Sequence, residues 1–286
     1  MNSSVRDLMD SATARLAQAG VVSARADAEV LLAHALGVER ARLGVLSALG
    51  TQVEPGRFDD LLDQRADRVP LQHLTGRAGF RALDLAVGPG VFVPRPETEG
   101  VAQFAVEEAE RLVAAGESAD VVDLCTGSGA IALAVATEVP RARVHAVELD
   151  AMAHAWAQRN VEEFAPGLDL RLGDAVTAFD DLDGAVDVVV SNPPYVPPGS
   201  VPNDVEVARH DPAIALYGGG DDGLEIPRQV VASAARLLRA GGLVVVEHAE
   251  VQEAGARRMF TRELWTEVAS YRDLTGRPRT TTARRR

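Results

Sequence analysis

The sequence predicts an α/β chain, with a parallel sheet covered by helices on both faces, preceded by a small helical domain and a β-hairpin connector. Three observations predict it. Apolar residues recur at helical spacing through roughly the first 72 positions, with no strand pattern among them. From about residue 95 onward, short Val- and Leu-rich runs alternate with helical periods, as crossed-over βαβ units do. A glycine-rich turn, Cys125-Thr126-Gly127-Ser128-Gly129, joins one such run to the helical period after it.

In chain order, Val5, Leu8, Met9, Ala12 and Leu16 step by threes and fours, and Gly20 supplies a stop. Ser23 is placed to cap a second helix carrying Val30, Leu31, Leu32, Ala35 and Leu36, ended by Gly37. Shorter helical segments follow over 41–49 and 58–68. Pro70-Leu71-Gln72-His73-Leu74-Thr75-Gly76 breaks that pattern. Leu83, Leu85 and Val87 then alternate, Gly88-Pro89-Gly90 turns and Val91-Phe92-Val93 returns, which reads as a hairpin. The expected divisions are thus 1–75, a hairpin linker over 76–94, and 95–286. Pro94-Arg95-Pro96-Glu97-Thr98-Glu99 opens the next helix with carboxylates where the helix dipole favours them. It either touches a ligand or caps that helix. Strands are expected over 120–124, 143–147, 168–172, 186–191 and 242–247, with helices over 129–138, 150–164 and 225–240. Segments 264–272 and 278–282 read as a final antiparallel pair. Open sheets of this kind bind ligands outside the carboxyl ends of their strands.

At 286 residues, 47% hydrophobic and 25% charged, the chain has the size and balance of one large domain plus a small one. Its net charge of −13, with arginine as its only strong base, argues against extended contact with a phosphate backbone. Arg284-Arg285-Arg286 reads as a solvated tail. No apolar run is long enough for a membrane span, and Met1-Asn2-Ser3-Ser4 lacks a basic-then-apolar signal, so a cytoplasmic location without membrane contact is expected. One cysteine, Cys125, excludes an intrachain disulfide framework. The six histidines show no metal-ligand spacing, and no metal is expected.

Chemistry concentrates in two motifs. Val188-Val189-Val190-Ser191-Asn192-Pro193-Pro194-Tyr195 is a buried strand run into a proline-stiffened polar tip. An amide oxygen, a fixed carbonyl and an aromatic face form a clamp suited to a flat group bearing an –NH₂; a Pro-rich turn after a core strand is the plain alternative. The glycine turn is the other motif, since glycines let a backbone approach a ligand closely. It is supported by Glu148, about twenty residues on at the next strand end, where a carboxylate accepts from ribose hydroxyls. Asp174, at the third strand end, is placed to bond an adenine amine or is a simple turn residue.

Asn-Pro-Pro-Tyr at a strand end resembles the target-amine motif of amino-methyltransferases that use S-adenosylmethionine (SAM). With Pro70–Gly76, Pro94–Glu99, Asp123–Gly129, Gly218-Gly219, Asp222-Gly223-Leu224 and Glu247-His248, the chain from Val69 to Arg279 resembles the HemK/PrmC family of protein-(glutamine-N5) methyltransferases. The resemblance implies a Rossmann-like class I SAM-dependent methyltransferase sheet, with substrate recognition by residues 1–75. It implies SAM held by Cys125, Thr126, Gly127, Ser128, Gly129, Glu148, Asp174, Ala175 and Asn192, leaving S-adenosylhomocysteine as product. It implies Asn192, Pro193, Pro194 and Tyr195 as the catalytic and substrate-binding corner, and peptide chain release factors, methylated on the glutamine of their Gly-Gly-Gln loop, as partners. An N6-adenine or other nucleic-acid methyltransferase is the rival, since adenine presents the same amine; no stable nucleic-acid binding is expected. Two positions depart from the family. Cys125 stands for the first glycine of the turn, tolerable if its φ is negative, and Ala175 stands where some relatives carry an aromatic. The long Pro/Gly-rich loop 196–225 reads as part of a substrate channel, with Glu206 and Asp211 available to a basic protein partner.

Overall fold

The computed structural model describes residues 3–202 and 204–286; Met1 and Asn2, part of the N-terminal stretch read above, lie outside the described residues. The chain divides into two units, Met1–Arg77 with Asn203–His210, and Ala78–Pro202 with Asp211–Arg286. Among the described residues no helix is long and apolar enough to cross a membrane.

The first unit is helical. Helices Val5–Gln18, Ala24–Leu36, Arg40–Ala48 and Phe58–Ala66 bury Val5, Leu16, Leu31, Leu32, Leu43 and Phe58 in one core. Gly37 closes the second helix in the left-handed conformation, as expected. Ser23 does not cap it. Its hydroxyl donates to Asp27 Oδ1 at 2.7 Å, because Asp27 is fixed by Arg65, whose Nε donates to Oδ2 at 2.8 Å.

That buried pair extends to Glu206. Arg65 Nη1 lies 2.8 Å from its carboxylate, and Arg68 forks onto both oxygens at 2.9 and 2.7 Å. Against its burial, which would raise it, Arg68 and then Asp204 and Arg65 hold the Glu206 carboxyl far below the usual range. Glu206 is therefore not available to a basic partner, contrary to expectation. Neither is Asp211, which is buried and accepts from Arg95 Nη2 at 2.6 Å. A carboxylate withdrawn from water needs a charged partner, and the chain supplies its own.

The second unit is built on a seven-stranded sheet. We number its strands in chain order: β1 Asp120–Leu124, β2 Arg143–Glu148, β3 Asp169–Leu172, β4 Val186–Ser191, β5 Leu238–Glu247, β6 Trp265–Arg272 and β7 Pro278–Arg285. Their spatial order is 3-2-1-4-5-7-6. β1 to β5 are parallel, and β7 runs antiparallel between β5 and β6. The period of two sorts side chains into two layers. Val121, Val188, Val190 and Val245 join helices Thr98–Ala114 and Ala130–Glu138 on one face. Val122, Val189, Val244 and Val246 join helix Glu225–Leu237 on the other.

Three expectations are corrected here. The hairpin exists, but its strands are Arg77–Phe80 and Leu83–Ala86. It turns at Arg81, which has φ 52°, donates its N–H to Glu99 Oε1 at 2.9 Å and forks onto Glu138. Gly88-Pro89-Gly90 serves a different purpose: a Cβ on Gly88 would overlap the Trp156 ring, and one on Gly90 the Met152 methyl. Helix Ala151–Phe164 presses there, and Val87, Val91 and Val93 pack with Ala153. Secondly, helix Glu225–Leu237 stops short of 240 because Leu238 already bridges Val186 of β4. Thirdly, the terminal arginines are no tail. Arg284 pairs with Leu243 across the sheet, and Arg111 and Arg284 together hold the Glu108 carboxyl down to about 2. Arg285 and Arg286 donate to the carbonyls of Ala235 and Arg262. Removing residues 284–286 is expected to cost about 1–2 kcal/mol, lowering the Tm by about 2–8 °C in melts followed by circular dichroism; an unchanged Tm would mark a solvated tail.

Candidate functional site

Backbone register assembles the site. Leu124 of β1 lies beside Val147 of β2 and Ser191 of β4, and Ser191 lies beside Val246 of β5. The residues that follow, Cys125, Glu148, Asn192 and Glu247, thus lie at the same, carboxyl end of the sheet. Ser191 Oγ donates to the Leu124 carbonyl at 2.5 Å, tying the two central strand ends together.

The glycine turn is held from beneath by Asp123, which is fully buried. Its Oδ2 accepts from Thr126 Oγ1 at 2.6 Å and from the Ala132 N–H at 3.2 Å. Burial nonetheless pushes its pKa up to about 7. Gly127 and Gly129 take φ of 60° and 85°. Cys125 takes φ 64°, so the negative φ expected for it is not found. A side chain in the left-handed region costs about 1–2 kcal/mol, and surrounding bonds impose it: the next N–H, of Thr126, is drawn to the Val147 carbonyl at 3.0 Å. Burial, then Glu148 and Asp123, push the Cys125 thiol up, so it is not poised as a nucleophile.

Glu148 is no free strand-end charge. Its Oε2 accepts from the Gly127 N–H and its Oε1 from the Asp150 N–H, both at 2.8 Å. These bonds fix the carboxylate and leave it further lone pairs for hydroxyls. No heavy atom lies within 4 Å of the place where a Cβ on Gly127 would sit, apart from its chain neighbours. Leu149 and Val176, 56% and 41% exposed, present apolar faces at the adjoining strand ends. Asp174 is exposed and accepts from the Val176 N–H at 2.9 Å, while Ala175 packs against the second core. An accessible glycine backbone, a fixed carboxylate and apolar flanks fit an adenosine-bearing ligand.

The proline corner adjoins this turn. Asn192 is partly exposed, and its Nδ2 donates to Thr98 Oγ1 at 3.2 Å. Tyr195 OH donates to Glu247 Oε1 at 3.1 Å. Gln252 Nε2 donates to the carbonyls of Tyr195 and Asp222 at 2.7 and 2.8 Å. A Cβ on Gly218 or Gly223 would overlap the backbone at Pro194–Pro197. Those two glycines, placed in the family pattern without a role, are there so that the loop can close on the corner.

Sequence reasoning missed the residues behind the site. Thr98, in the block that opens its helix, is buried and its hydroxyl oxygen accepts from Asn192 Nδ2. Asn160 is fully buried on a helix. It accepts from the Ala86 N–H at 2.7 Å and donates to the carbonyls of Ala86 and Ser128 at 3.0 and 2.9 Å, clamping the hairpin to the glycine turn. A polar residue on an apolar helical stripe was its available signal.

Comparison with known proteins places this geometry. Residues 7–76 match the PrmC N-terminal domain and residues 83–208 the methyltransferase small domain. A release factor glutamine methyltransferase of Streptomyces coelicolor is 52% identical over 276 residues, covering 96% of this chain and 95% of its own. The chain belongs to the release factor glutamine methyltransferase family. The Mycolicibacterium smegmatis member is 49% identical over 286 residues, covering 98% of each chain. A relative from Streptomyces pristinaespiralis, 41% identical over 255 residues and covering 88% of this chain and 85% of its own, is a 4-amino-L-phenylalanine/4-methylamino-L-phenylalanine methyltransferase. The Rossmann-like class I methyltransferase sheet expected from the sequence is the one observed.

Two predictions follow from the buried polar groups. Asn160→Ala strands two carbonyls and an N–H in the core, and is expected to cost about 2–3 kcal/mol in urea denaturation. Burial raises the Asp123 and Glu247 pKa values to about 7, so the folded chain holds these protons more tightly than the unfolded one. Stability is then greatest below their ordinary values near 4 and is lost as pH rises through about 7. Glu108 and Glu206, held low by arginines, keep their contribution across that window and lose it only in stronger acid. The Tm of the ligand-free protein should fall between pH 5 and pH 8, and Asp123→Asn should flatten the fall.

Proposed function

We propose that this chain transfers a methyl group from SAM to the side-chain amide nitrogen of the glutamine in the Gly-Gly-Gln loop of peptide chain release factors. The observation that carries the reading is the Asn192 carboxamide, whose Nδ2 is engaged by Thr98 so that its oxygen is left to accept. It stands at the strand end beside the glycine turn, in a chain that is up to 52% identical to a named release factor glutamine methyltransferase.

SAM supplies an electrophilic methyl carbon on a sulfonium sulfur. Cys125 to Gly129, Glu148, Asp174 and Ala175 are assigned to hold it: the fixed Glu148 carboxylate would accept from its ribose hydroxyls, and the exposed Leu149 and Val176 would offer its base an apolar surface. An amide nitrogen is a poor nucleophile because its lone pair is delocalised into its carbonyl. Asn192 Oδ1 and the Pro193 carbonyl accept its two hydrogens, orient the nitrogen and stabilise positive charge developing there. Tyr195, tied by its hydroxyl to Glu247, lays its ring along the amide plane, and Pro194 stiffens the corner. Orientation and fixed dipoles thus supply most of the rate. No base is needed before transfer, since the product's extra proton leaves to water. The helical unit is assigned to recognise the release factor, and such a substrate places the enzyme in the cytoplasm.

A second reading, methylation of a small aromatic amine, is favoured by the Streptomyces pristinaespiralis relative, because an arylamine presents two hydrogens to the same clamp. The test is mass spectrometry of a bacterial release factor incubated with this protein and SAM, beside 4-amino-L-phenylalanine under the same conditions. A one-methyl gain on the release factor is expected, absent when its loop glutamine is changed to alanine. Asn192→Ala should slow it by about 10²–10³-fold, or about 2.7–4 kcal/mol of barrier. Methylation of the amino acid alone would replace the first reading by the second.

A further inference from the structure

Gln252 lies in a single 3₁₀ turn, Glu250–Gln252, just past the end of β5. It is buried, and no step of the mechanism above uses it. Its amide nevertheless bonds three separate stretches of backbone. Nε2 donates to the carbonyls of Tyr195 and Asp222 at 2.7 and 2.8 Å, and Oε1 accepts from the Ala249 N–H at 3.0 Å. Tyr195 is in the proline corner, Asp222 in the returning limb of the loop after it, and Ala249 beyond β5. All belong to one structural unit. These partners settle which way the amide faces. Two carbonyls need a donor and one N–H needs an acceptor, so exchanging Nε2 and Oε1 would break all three bonds.

The segment held in this way is the one that proline cannot hold by itself. Pro193 and Pro194 lock their own φ, and Pro193, lying before a proline, is confined in ψ as well. The first free rotations are ψ of Pro194 and the two dihedrals of Tyr195. They set the Tyr195 ring against the Asn192 amide and the Pro193 carbonyl. The loop braces this point from one side. The Val196 N–H donates to the Leu216 carbonyl at 2.7 Å and the Gly218 N–H to the Val196 carbonyl at 3.0 Å, and Gly223 lies where a Cβ would meet the Tyr195 carbonyl oxygen. Gln252 ties both the corner and the loop to the end of β5. Tyr195 is thereby fixed at two points, its carbonyl by Gln252 and its hydroxyl by Glu247 Oε1 at 3.1 Å.

We propose that Gln252 is a positioning residue for methyl transfer: its carboxamide staples the Tyr195 carbonyl to the loop at Asp222 and to the end of β5, and so holds the aromatic side of the clamp against the target amine. The proposal rests on the reading of Asn192–Tyr195 as the amine-binding corner. The residue type fits the task, since an amide meets two acceptors and one donor from a single branch point. A glutamate there would keep the bond from Ala249 but turn an oxygen toward two carbonyl oxygens. A methionine of similar length would fill the space and lose all three bonds.

The test compares Gln252→Glu, Gln252→Met and Gln252→Asn with Asn192→Ala and Phe260→Leu, reading kcat and KM for the release factor, the SAM Kd by calorimetry, and Tm. Phe260 packs on Trp265 at the opposite end of the sheet, so Phe260→Leu lowers Tm without touching the corner. The Gln252 variants should lower kcat by about 10- to 100-fold. Their SAM Kd should be unchanged, because the glycine turn is held by bonds of its own to Asp123. Phe260→Leu should keep the parent's kcat at a comparable loss of Tm. Gln252→Asn, which keeps the amide and shortens its arm by one methylene, is the mildest and carries the test where the other two do not fold. Parental kcat in any folded Gln252 variant overturns the proposal. So does a loss that Phe260→Leu matches, or one accompanied by an equal rise in the SAM Kd, because each marks a general packing role. Full activity in Asn192→Ala would instead remove the reading of the corner on which the proposal stands. The two failures are told apart because the second leaves Asn192→Ala active, whereas failure of the proposal alone leaves that variant slow.

Discussion

The pairing of β1 with β4 is the constraint on which the rest of the second unit depends. Leu124 against Ser191 puts the glycine turn and the proline corner next to each other. The alternating valines of β1, β4 and β5 enforce that register, because a one-residue slip would turn each inner face of the sheet into the wrong layer. The strand ends are therefore secured by packing in the middle, and the bond from Ser191 Oγ to the Leu124 carbonyl reinforces the last ladder pair.

Around that edge the chain accepts local cost for close approach. Cys125 adopts a conformation better suited to glycine, Gly218 and Gly223 surrender side chains so that a loop can lie on the proline corner, and Asp123 and Glu247 stay buried with raised pKa values. None of these choices improves stability taken singly. Each fixes a backbone segment or a polar atom that would otherwise have several positions, as sites that work by orientation require.

The sheet, its helices and both motifs were legible because they rest on local signals: period two in the valine runs, glycines after a strand, and prolines that stop one. The terminal antiparallel pair was legible for the same reason. What the sequence hid is what depends on partners distant along the chain. Ser23 looked like a cap until Asp27 and Arg65 claimed the region, and Glu206 looked available until two arginines about 140 positions earlier enclosed it. The hairpin was placed one strand late, because Gly88-Pro89-Gly90 carries the composition of a turn but exists to admit Trp156 and Met152. Thr98 and Asn160 act through hydrogen bonds spanning 94 and 74 positions, and no periodicity encodes such a pairing.

The ion cluster around Glu206 bears on how this molecule could be divided. Helix Val205–His210 belongs by its contacts to the amino-terminal unit, although the chain up to Pro202 and from Asp211 onward belongs to the carboxy-terminal one. Severing the polypeptide near residue 77 would not release two intact modules. The larger piece would carry away a glutamate whose counterions, Arg65 and Arg68, had stayed with the smaller.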